Sequence, residues 1–445
     1  MRLYVAHNKR PDFGLLCLKL ARGFRRNGCL PGAKLEGMLP SYGVVIVGAG
    51  PAGCAAAYDL ARAGKRVLLL DKRSFPRHKA CACGLTRKTM EALRYSVEPV
   101  VERVCKEIVL QLAEVPGAGA LADKGREVRV KTRNPICAMA VRERFDDFCL
   151  KQTLAQGAEL RKIEGIVALR EVDGGVEVDV ALGDGGVETL KAPVVIGADG
   201  SNGQMRRLAS QLEKGSPSAQ DPEWYARGFA LEAMVPYAAL PTKLPEGDGP
   251  LDLVFDFSPI AGGYGWLFPK GDHINIGVGG FVPRTDNAAN NDRPHEKVTR
   301  ALLHQYTMQK LGIDLAGIGA HVTGQYLGLG GHAYVPRGRV LLVGDAAGLV
   351  DPLTGEGIHS ALVSGQAAAA AVLEGGDVAA AYARELAELQ ETLAFSHRAA
   401  RSFYATPERG FKVIRTPILR SSVLKTYADG LPHTKLLARL AKAVV

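Results

Sequence analysis

Three glycines and one carboxylate near position 50 have the types and the spacing that bind a diphosphate. Gly48, Gly50 and Gly53 form a G-x-G-x-x-G pattern, and Asp71 follows Gly53 by 18 residues. The first glycine permits a tight turn, the second lets a pyrophosphate approach the backbone, and the third lets a helix pack on a strand. An acid at this distance is placed to bind a ribose. The pattern predicts a dinucleotide site; the alternative is the same structural unit without a ligand.

Two further glycine turns carry an acid, at residues 197–200 (GADG) and 344–348 (GDAAG). A nicotinamide dehydrogenase needs the first turn alone, whereas a flavin dinucleotide must be held at both ends. Asp345 is placed to bind a ribityl hydroxyl. The helix that starts at Gly357 and Ile358 turns its N–H groups and dipole toward the flavin O2/N1 edge, which becomes negative on reduction. The three turns together predict FAD.

The elements that must position these turns read as a Rossmann-like α/β unit. The apolar run 44–47 predicts a parallel strand buried on both faces. A helix over 52–63 ends at Gly64, and a second strand covers 67–70. Apolar strands precede the other two turns, and an alanine-rich helix over 358–373 follows the last one.

Residues 224–282 read instead as antiparallel strands, so the FAD-binding domain is predicted to be discontinuous, with a sheet domain inserted. The helix predicted after the loop at 74–85 runs from Thr86, its N-cap, to Tyr95. The expected organisation is a basic, disordered extension (1–40), the first part of the FAD-binding domain (41–215), an antiparallel-sheet substrate domain (216–325), the return segment of the FAD-binding domain (326–375) and a helical basic C-terminal region (376–445). Because Met38 directly precedes the first strand, residues 1–37 are an upstream extension or a misassigned start.

Composition excludes several classes of protein. Of 445 residues, 47% are hydrophobic and 23% charged, as in globular proteins, and no apolar run reaches the ~18 residues of a membrane span. Eight cysteines in so long a chain do not suggest a disulfide scaffold, and Cys81-Ala82-Cys83 is not a zinc pattern, so no metal is expected. We expect a reducing, cytoplasmic compartment.

The formal charge of +10 is concentrated at the two ends of the chain. Basic ends suit an anionic membrane surface better than nucleic acid; the alternative is solvated tails. Residues 396–445 combine ten Lys and Arg residues with apolar residues that include Phe403, Tyr404, Phe411 and Ile414. Within this region, residues 434–445 (TKLLARLAKAVV) place leucines on one helical face and cations largely on the other. This face is expected to attach the protein peripherally to the inner face of the membrane, or else to pack on the protein's own core. The oligomeric state is left open.

The segments GAGPAG, VVIGADGS and VLLVGDAAGLVDPLTGEGI resemble the flavoproteins of para-hydroxybenzoate hydroxylase type. Within that group the chain resembles the geranylgeranyl reductase family. Three segments carry this likeness: the cysteine loop RHKACACGLT, VRERFDDFCL, and Tyr264–Pro269, which fits the core of P-x-x-Y-x-W-x-F-P. The chain departs from the family at Ala261, where the motif has proline, at Ala82 and Cys83 in the loop, and at Gly203, where related chains often have serine.

The resemblance implies reduction of C=C bonds in an isoprenoid chain, geranylgeranyl or polyprenyl, with NADPH or another carrier reducing the flavin. Cys81 is the expected proton donor, and Tyr264 and Trp266 are expected to wall the substrate pocket. The implied FAD contacts are Gly48, Gly50, Pro51, Ala52, Gly53, Asp71, Lys72, Arg73, Cys81, Ala82, Gly84, Arg142, Val167, Asp199, Gly344, Asp345, Gly357 and Ile358.

Each of these roles has an alternative. Arg142 could merely pair with Asp146 on a helix face, Cys81 could be a loop cysteine without a role, and Tyr264 and Trp266 could be core residues. The rival functions are a flavin monooxygenase or halogenase on the same fold and an electron-transfer flavoprotein that feeds quinone. The latter is disfavoured because the cysteines lack ferredoxin spacing.

Overall fold

The computed structural model describes residues 42–112, 126–214, 221–241, 252–280, 298–416, 420 and 427–429. The strands are β1 (Val44–Val47), β2 (Val67–Asp71), β3 (Gly84–Thr86), β4 (Arg103–Cys105), β5 (Glu107–Leu112), β6 (Arg126–Lys131), β7 (Cys137–Met139), β8 (Glu159–Lys162), β9 (Gly165–Val172), β10 (Gly175–Ala181), β11 (Val187–Ala192), β12 (Val195–Gly197), β13 (Ala226–Pro236), β14 (Leu253–Asp256), β15 (Gly263–Pro269), β16 (His273–Gly280), β17 (Thr323–Leu329) and β18 (Val340–Leu342). The helices are α1 (Pro51–Arg62), α2 (Arg87–Ala92), α3 (Arg142–Leu154), α4 (Met205–Lys214), α5 (Arg300–Leu311), α6 (Ile358–Glu374), α7 (Val378–Ala405) and α8 (Pro407–Arg415).

A parallel sheet carries the three glycine turns, which confirms the predicted α/β class. Its strand order is β18-β12-β1-β2-β8. The strands β1, β12 and β18 lie side by side, with Val45 opposite Val195 and Val195 opposite Val340. Each of these three strands runs directly into one glycine turn. Because parallel strands end at the same edge of the sheet, the three turns meet there.

Small residues allow α1 and α6 to pack closely over this sheet. A Cβ added at Gly365 would lie 2.3 Å from the carbonyl oxygen of Ala52, so α6 requires glycine at this crossing. Ala56, Ala57, Ala368 and Ala369 are fully buried. The alanine-rich composition of both helices is therefore a packing requirement. It holds the N-terminal ends of both helices near the glycine turns.

The second sheet has seven strands in the order β17-β13-β16-β15-β14-β5-β6. Its central strands are antiparallel, as predicted for residues 224–282. Two strands, however, come from before that segment, because β5 pairs in parallel with β14, with Ile108 opposite Leu253. The sheet is thus assembled from two separate parts of the chain.

The described part of the C-terminal region is helical, as expected. The long helix α7 buries Tyr382, Leu386 and Leu393 in the core that also contains the parallel sheet. Phe411 of α8 is fully buried and packs with the aromatic residues of the seven-stranded sheet. Among the described residues, no helix combines the length and the apolar character that a bilayer crossing requires. The amphipathic stretch 434–445 lies outside the described residues.

Helix α2 is shorter than predicted, because it ends at Ala92 rather than at Tyr95. Leu93 is extended, with ψ 143°, and so it interrupts the helical hydrogen bonds. Thr86 occupies the N-cap position, yet its hydroxyl does not cap the helix. It donates instead to the carboxylate of Glu356 at 2.7 Å. A tertiary contact has replaced the local one that the sequence suggested.

Candidate functional site

The turn between β1 and α1 forms one wall of a large cleft. Gly48 has φ +107°, and a Cβ there would lie 2.3 Å from the carbonyl oxygen of Ala198, so only glycine fits. A Cβ at Gly53 would lie 1.8 Å from the Gly48 carbonyl oxygen. Gly50 instead faces open space, with the Arg77 guanidinium as its nearest neighbour at 3.6 Å. The glycine that the sequence assigned to the pyrophosphate is the one that lies open to the cleft.

The carboxylate of Asp71 is tied to the same turn. Its Oδ2 accepts a hydrogen bond from the Ala49 N–H at 2.8 Å, and its Oδ1 accepts one from the Arg73 N–H at 2.8 Å. The neighbouring Lys72 donates to the side-chain oxygen of Gln204 at 2.8 Å. Each carboxylate oxygen keeps a further lone pair. Asp71 is therefore fixed in orientation and able to accept the hydroxyls of a ribose.

The second turn holds Asp199 with one oxygen unsatisfied. Its Oδ2 accepts the N–H groups of Gln204 and Met205, the latter at 2.9 Å. Its Oδ1 is buried and has no hydrogen-bond partner among the described residues. Burial raises the pKa of Asp199, against the effect of these backbone donors. A Cβ at Gly203 would lie 2.0 Å from the Asp199 side-chain carbon, so the departure from the family at Gly203 accommodates this carboxylate.

The third turn brings Asp345 to the place where two cavities meet. The Gly344 N–H donates to the hydroxyl of Ser364 at 2.9 Å, which anchors the turn on α6. The Tyr225 hydroxyl lies 3.3 Å from the Asp345 carbonyl oxygen, to which it donates. The guanidinium of Arg206 lies 3.4 Å from the centre of the Tyr225 ring. The fully buried Arg206 and its aromatic partner thus support this turn from behind.

The turns surround a cleft of about 1710 Å³, part of which is open to solvent. Half of the residues predicted to bind FAD line it: Gly48, Gly50, Pro51, Ala52, Asp71, Lys72, Arg73, Asp199 and Asp345. The open face at Gly50 and the unsatisfied Asp199 oxygen are both features that a bound dinucleotide would complete. Val167 is not brought to this cleft. Its side chain is 51% exposed on β9, and Ile163 lines the cleft in its place.

Arg142 and Asp146 form a buried ion pair on α3. The Nε and Nη2 atoms of Arg142 donate to the two oxygens of Asp146, each at 2.8 Å, and Arg77 approaches the same carboxylate at 3.1 Å. Although burial alone would raise the pKa of Asp146, the charge of Arg142 and its hydrogen bonds lower it. The pairing that the sequence offered as an alternative is therefore present. Arg142 also lines the second cavity, so the ion pair does not exclude the predicted contact with FAD.

The cysteine loop is held by an unexpected residue, Lys270. This lysine is 1% exposed, and its Nζ donates to the carbonyl oxygen of Ala82 and, at 2.9 Å, to that of Ala140. Burial lowers the pKa of Lys270. Within the loop the Cys83 N–H donates to the Cys81 sulfur at 3.3 Å, and Cys83 has φ +48°. The loop thus has a tightly defined backbone that aims Cys81 at the second cavity.

The second cavity encloses about 1080 Å³ and meets the first around Asp345 and Pro51. Tyr264 and Trp266 lie in its wall and are 7% and 6% exposed. Both also belong to the hydrophobic core of the seven-stranded sheet, which was the alternative to a pocket role. The other predicted site residues that line it are Cys81, Ala82, Gly84, Arg142, Gly357 and Ile358. The aromatic and aliphatic residues that complete the wall are Phe255, Phe268, Leu327, Val350 and Tyr427. The cavity is therefore mainly apolar.

The start of α6 forms the polar end of this cavity. Gly357 is the N-cap, and Ile358 is the first helical residue. The carboxylate of Glu356 accepts the hydroxyls of Thr86 and Thr89 at 2.7 and 3.0 Å and pairs with Lys88 at 2.6 Å. Although burial alone would raise the pKa of Glu356, Lys88 lowers it. This network fixes the loop that presents the N-terminus of α6 to the cavity.

Several supporting residues were missed from the sequence: Arg206, Glu232, Lys270 and Asn275. Each is almost fully buried although its side chain is charged or polar. Glu232 and Asn275 interrupt otherwise apolar strands, and this interruption is the sequence feature by which they could have been identified. The sequence around Lys270 and Arg206 gave no such indication, because their hydrogen-bond partners are backbone carbonyls and side chains that are distant in the sequence.

The comparisons with known proteins agree with this site. Residues 41–225 match the FAD binding domain family. A geranylgeranyl bacteriochlorophyll reductase-like protein from Thermoplasma acidophilum has the same fold, with a TM-score of 0.65 at 20% identity over 90% of this chain and 99% of that one. A flavin-dependent brominase also shares it, with a TM-score of 0.63 at 18% identity over 87% and 93% of the two chains. The fold and the cleft define an FAD-binding oxidoreductase.

Proteins of similar sequence identify the family within the class of FAD-binding oxidoreductases. The chain is 30% identical to a menaquinone reductase of Mycolicibacterium smegmatis, over 86% of this chain and 90% of that protein. It is 30% identical to a geranylgeranyl diphosphate reductase of Rhodobacter capsulatus, over 75% of each. Digeranylgeranylglycerophospholipid reductase 2 of Methanopyrus kandleri is 27% identical over 86% and 92%. The chain belongs to the geranylgeranyl reductase family of flavoproteins.

Proposed function

We propose that the protein reduces C=C bonds of an isoprenoid chain, geranylgeranyl or polyprenyl. The observation that carries the proposal is the apolar, aromatic-walled cavity that joins the FAD cleft around Asp345. Such a cavity excludes water and can hold an alkene beside the cofactor. The names of the relatives in Rhodobacter and Methanopyrus support an isoprenoid substrate, and that of the Mycolicibacterium relative supports a chain attached to a quinone.

The residues have separate tasks in this proposal. The glycine turn at Gly48 and Gly50 and the carboxylate of Asp71 would hold the diphosphate and ribose of FAD, and Asp199 and Asp345 would hold its polyol chain. When bound and reduced, FAD would supply a hydride to the alkene. Gly357 and the following N–H groups would stabilise the negative charge of the reduced cofactor. The remaining predicted FAD contacts that line the second cavity are Cys81, Ala82, Gly84, Arg142 and Ile358.

The proposal is tested by incubating the purified, chemically reduced protein with geranylgeranyl diphosphate, a geranylgeranylated glycerophospholipid and menaquinone, each in detergent. We expect at least one substrate to gain two hydrogens per reduced bond in the mass spectrum. A deletion strain should accumulate the same tail in its unreduced form. If none of the three is reduced and tails in the deletion strain are unchanged, the proposed function is wrong.

We further propose NADPH as the electron donor. The sequence offers no second nucleotide motif beyond the weak Gly317-Ile318-Gly319. We therefore expect NADPH to bind transiently and to bleach the flavin absorbance under anaerobic conditions. Bleaching by a reduced iron–sulfur protein, but not by NADPH or NADH, would assign the donor to a protein carrier instead.

A flavin-dependent halogenase or monooxygenase is the second candidate, and one observation favours it. Lys79 lines both cavities, and halogenases place a characteristic lysine in a loop. Burial and the charge of Arg142 lower the pKa of Lys79. Oxygen-dependent incorporation of halide or hydroxyl into a product would support this candidate. Strictly anaerobic reduction of an isoprenoid would exclude it.

The third candidate function, electron transfer to quinone by a flavoprotein, is less well supported by the structure than the other two. Cys105 and Cys137 face each other across β4 and β7, whereas Cys81 and Cys83 belong to the loop. In the described part of the chain, the side chains that converge as metal ligands are Glu102, Asp272 and His273, and no cysteine is among them. An iron–sulfur site built from these cysteines therefore has no support in the described residues.

We expect Cys81→Ser to lower alkene reduction about tenfold or more while the FAD content stays unchanged. A serine can still accept the Cys83 N–H, so the loop keeps its hydrogen bond. Its O–H donor, however, faces an apolar chain, and burying a donor without an acceptor costs ~1–3 kcal/mol. Turnover and flavin content are measured side by side, with Cys149→Ala as a control inside α3. Turnover equal to that of the parent would show that Cys81 has no role in the substrate site.

We also propose peripheral attachment to an anionic membrane surface, because a polyprenyl substrate must be collected from a bilayer. The apolar residues Phe403, Tyr404, Phe411 and Ile414 pack in the core cluster of the seven-stranded sheet, so they do not serve as anchors. The candidate anchor is therefore 434–445. The full chain and a chain ending at 429 are compared in co-sedimentation with anionic vesicles. We expect salt-sensitive binding that the truncation weakens; binding that is absent or unaffected assigns 434–445 to core packing.

A further inference from the structure

A buried carboxyl group lies in the wall of the apolar cavity, and the sequence did not reveal it. Glu232, on β13, is 3% exposed and lines the second cavity. Its Oε1 accepts the N–H of Cys81 at 2.9 Å. It therefore sits against the same loop residue that the sequence placed beside the alkene. In a mainly apolar wall, a buried carboxyl group is costly unless other groups compensate for it or it has a function.

Glu232 is oriented by a short chain of buried polar side chains. The side chain of Asn275, which is fully buried on the neighbouring strand β16, hydrogen-bonds to Glu232. Asn275 Oδ1 in turn accepts the indole N–H of Trp266 at 2.7 Å. The carboxyl group is thus linked to a wall residue of the substrate cavity. Three elements fix its position: β13, β16 and the cysteine loop.

We propose that Glu232, rather than Cys81, supplies the proton in the reduction of the alkene. This inference rests on the proposed function. One carbon of the C=C bond takes the proton of the Glu232 carboxyl group, and the other takes a hydride from the FAD that NADPH has reduced. The C=C π bond, the carboxyl O–H bond and the bond that holds the hydride on the reduced flavin break, and two C–H bonds form. The flavin is left oxidised, and the carboxylate regains its proton from solvent after product release.

Acid strength favours the carboxyl group over the thiol. An alkene is a very weak base, and a free thiol, with an ordinary pKa of about 8.5, is a poor acid toward it. Burial raises the pKa of Glu232, although hydrogen bonds from Asn275 and Cys81 and the charge of Lys270 oppose this. A raised pKa keeps more of the neutral acid available near neutrality, while the group remains a carboxylic acid.

Other charged groups set the pH at which this acid ionises. Lys270 lies behind the cysteine loop and Arg142 faces the cavity, and both lower the pKa of Glu232. The remaining charged or titratable groups in the cavity wall are Lys79, Cys81, Cys83, Tyr264, Asp345, Glu356 and Tyr427. Turnover should fall as the pH rises through the pKa of Glu232, because the carboxylate has no proton to give.

Glu232→Gln tests the proposal in the FAD-loaded protein. The amide keeps the size of the side chain and an oxygen for the Cys81 N–H, but it carries no acidic proton. We expect turnover to fall by about 10²–10⁴-fold, as for loss of a general acid, with unchanged FAD content. The infrared band of a protonated carboxyl group should be lost from the protein. Glu232→Asp, which keeps the acid, should recover part of the turnover and restore the fall in rate at high pH.

Asp256→Asn is the matched control, because Asp256 is a buried carboxylate in the same sheet that pairs with Lys310 outside the cavity. Its turnover should be that of the parent. Glu232→Gln with parental turnover, or with an unchanged infrared band, would overturn the proposal and leave alkene reduction standing. Absence of alkene reduction by the parent would overturn the proposed function and this inference with it. If Glu232→Gln does not fold, the test passes to Glu232→Asp and the parent. A pH profile of Glu232→Asp equal to that of the parent, together with no infrared band of a protonated carboxyl group in the parent, would show that Glu232 is not the proton donor.

Discussion

Gly50→Val is expected to give a folded protein that holds no FAD. The Gly50 backbone has φ −76°, which any residue can adopt, and the nearest atom to an added Cβ is the mobile end of Arg77 at 3.6 Å. The fold therefore tolerates a side chain here. The added methyl groups would occupy the space over the N-terminus of α1 where the pyrophosphate must approach. We expect a colourless protein with a circular dichroism spectrum like that of the parent.

Two further glycine substitutions make this result specific. Gly183→Val places a side chain on a surface turn away from the cleft, and it should leave the FAD content unchanged. Gly53→Val forces a Cβ to within 1.8 Å of the Gly48 carbonyl oxygen and should disrupt folding itself. The FAD content is read from the visible absorbance of the purified proteins. A yellow Gly50→Val protein with the parental amount of FAD would show that the pyrophosphate does not lie on this turn.

Asp146→Asn is expected to lower the free energy of unfolding by about 3–5 kcal/mol, the usual cost of removing one partner from a buried ion pair. Asp146 is 1% exposed and Arg142 is 5% exposed. The amide would leave the guanidinium of Arg142 buried without its counter-charge, and it would also weaken the contact with Arg77. Denaturant unfolding of parent and variant, both saturated with FAD, measures the difference.

Asp147→Asn is the natural control, because the next residue along α3 pairs with the exposed Lys151 at 2.6 Å. An exposed i,i+4 pair contributes about 0.3–0.5 kcal/mol, so this variant should unfold almost like the parent. A similar decrease in the free energy of unfolding in both variants would show that the buried pair of Arg142 and Asp146 does not provide this stability.

The buried pair also predicts a dependence on pH. The pKa of Asp146 is lowered in the folded protein. Its contribution to stability is therefore fully present above the ordinary aspartate pKa of about 3.9, and it is lost as the pH falls through the lower, folded value. Between these two pH values the parent should lose stability more steeply than Asp146→Asn. Parallel stability curves in this acid range would show that Asp146 does not titrate as described.

The sequence by itself determined the framework of the cofactor cleft. The spacing of Gly48, Gly50 and Gly53 and the position of Asp71 depend mainly on local geometry. Gly48 makes a turn at φ +107°, Gly53 packs against Gly48, and Gly50 leaves space for the pyrophosphate. Apolar runs were sufficient to place β1, β2 and β18, because strands buried on both faces have unbroken hydrophobic sequences. The class of cofactor followed from these turns. The geranylgeranyl reductase family followed from the motifs around Cys81, Arg142 and Trp266.

Only the tertiary structure showed which residues from distant parts of the chain surround the cleft and the substrate cavity. Lys270 meets the cysteine loop from about 190 residues away, through backbone carbonyls that no sequence pattern records. The sheet takes β5 and β6 from outside the predicted insertion, because pairing between β5 and β14 is a long-range choice. The position of Glu232 opposite Cys81 likewise depends on how the two sheets are placed. Local spacing encodes turns and strands, whereas contacts between distant segments arise only from the packing of the whole chain.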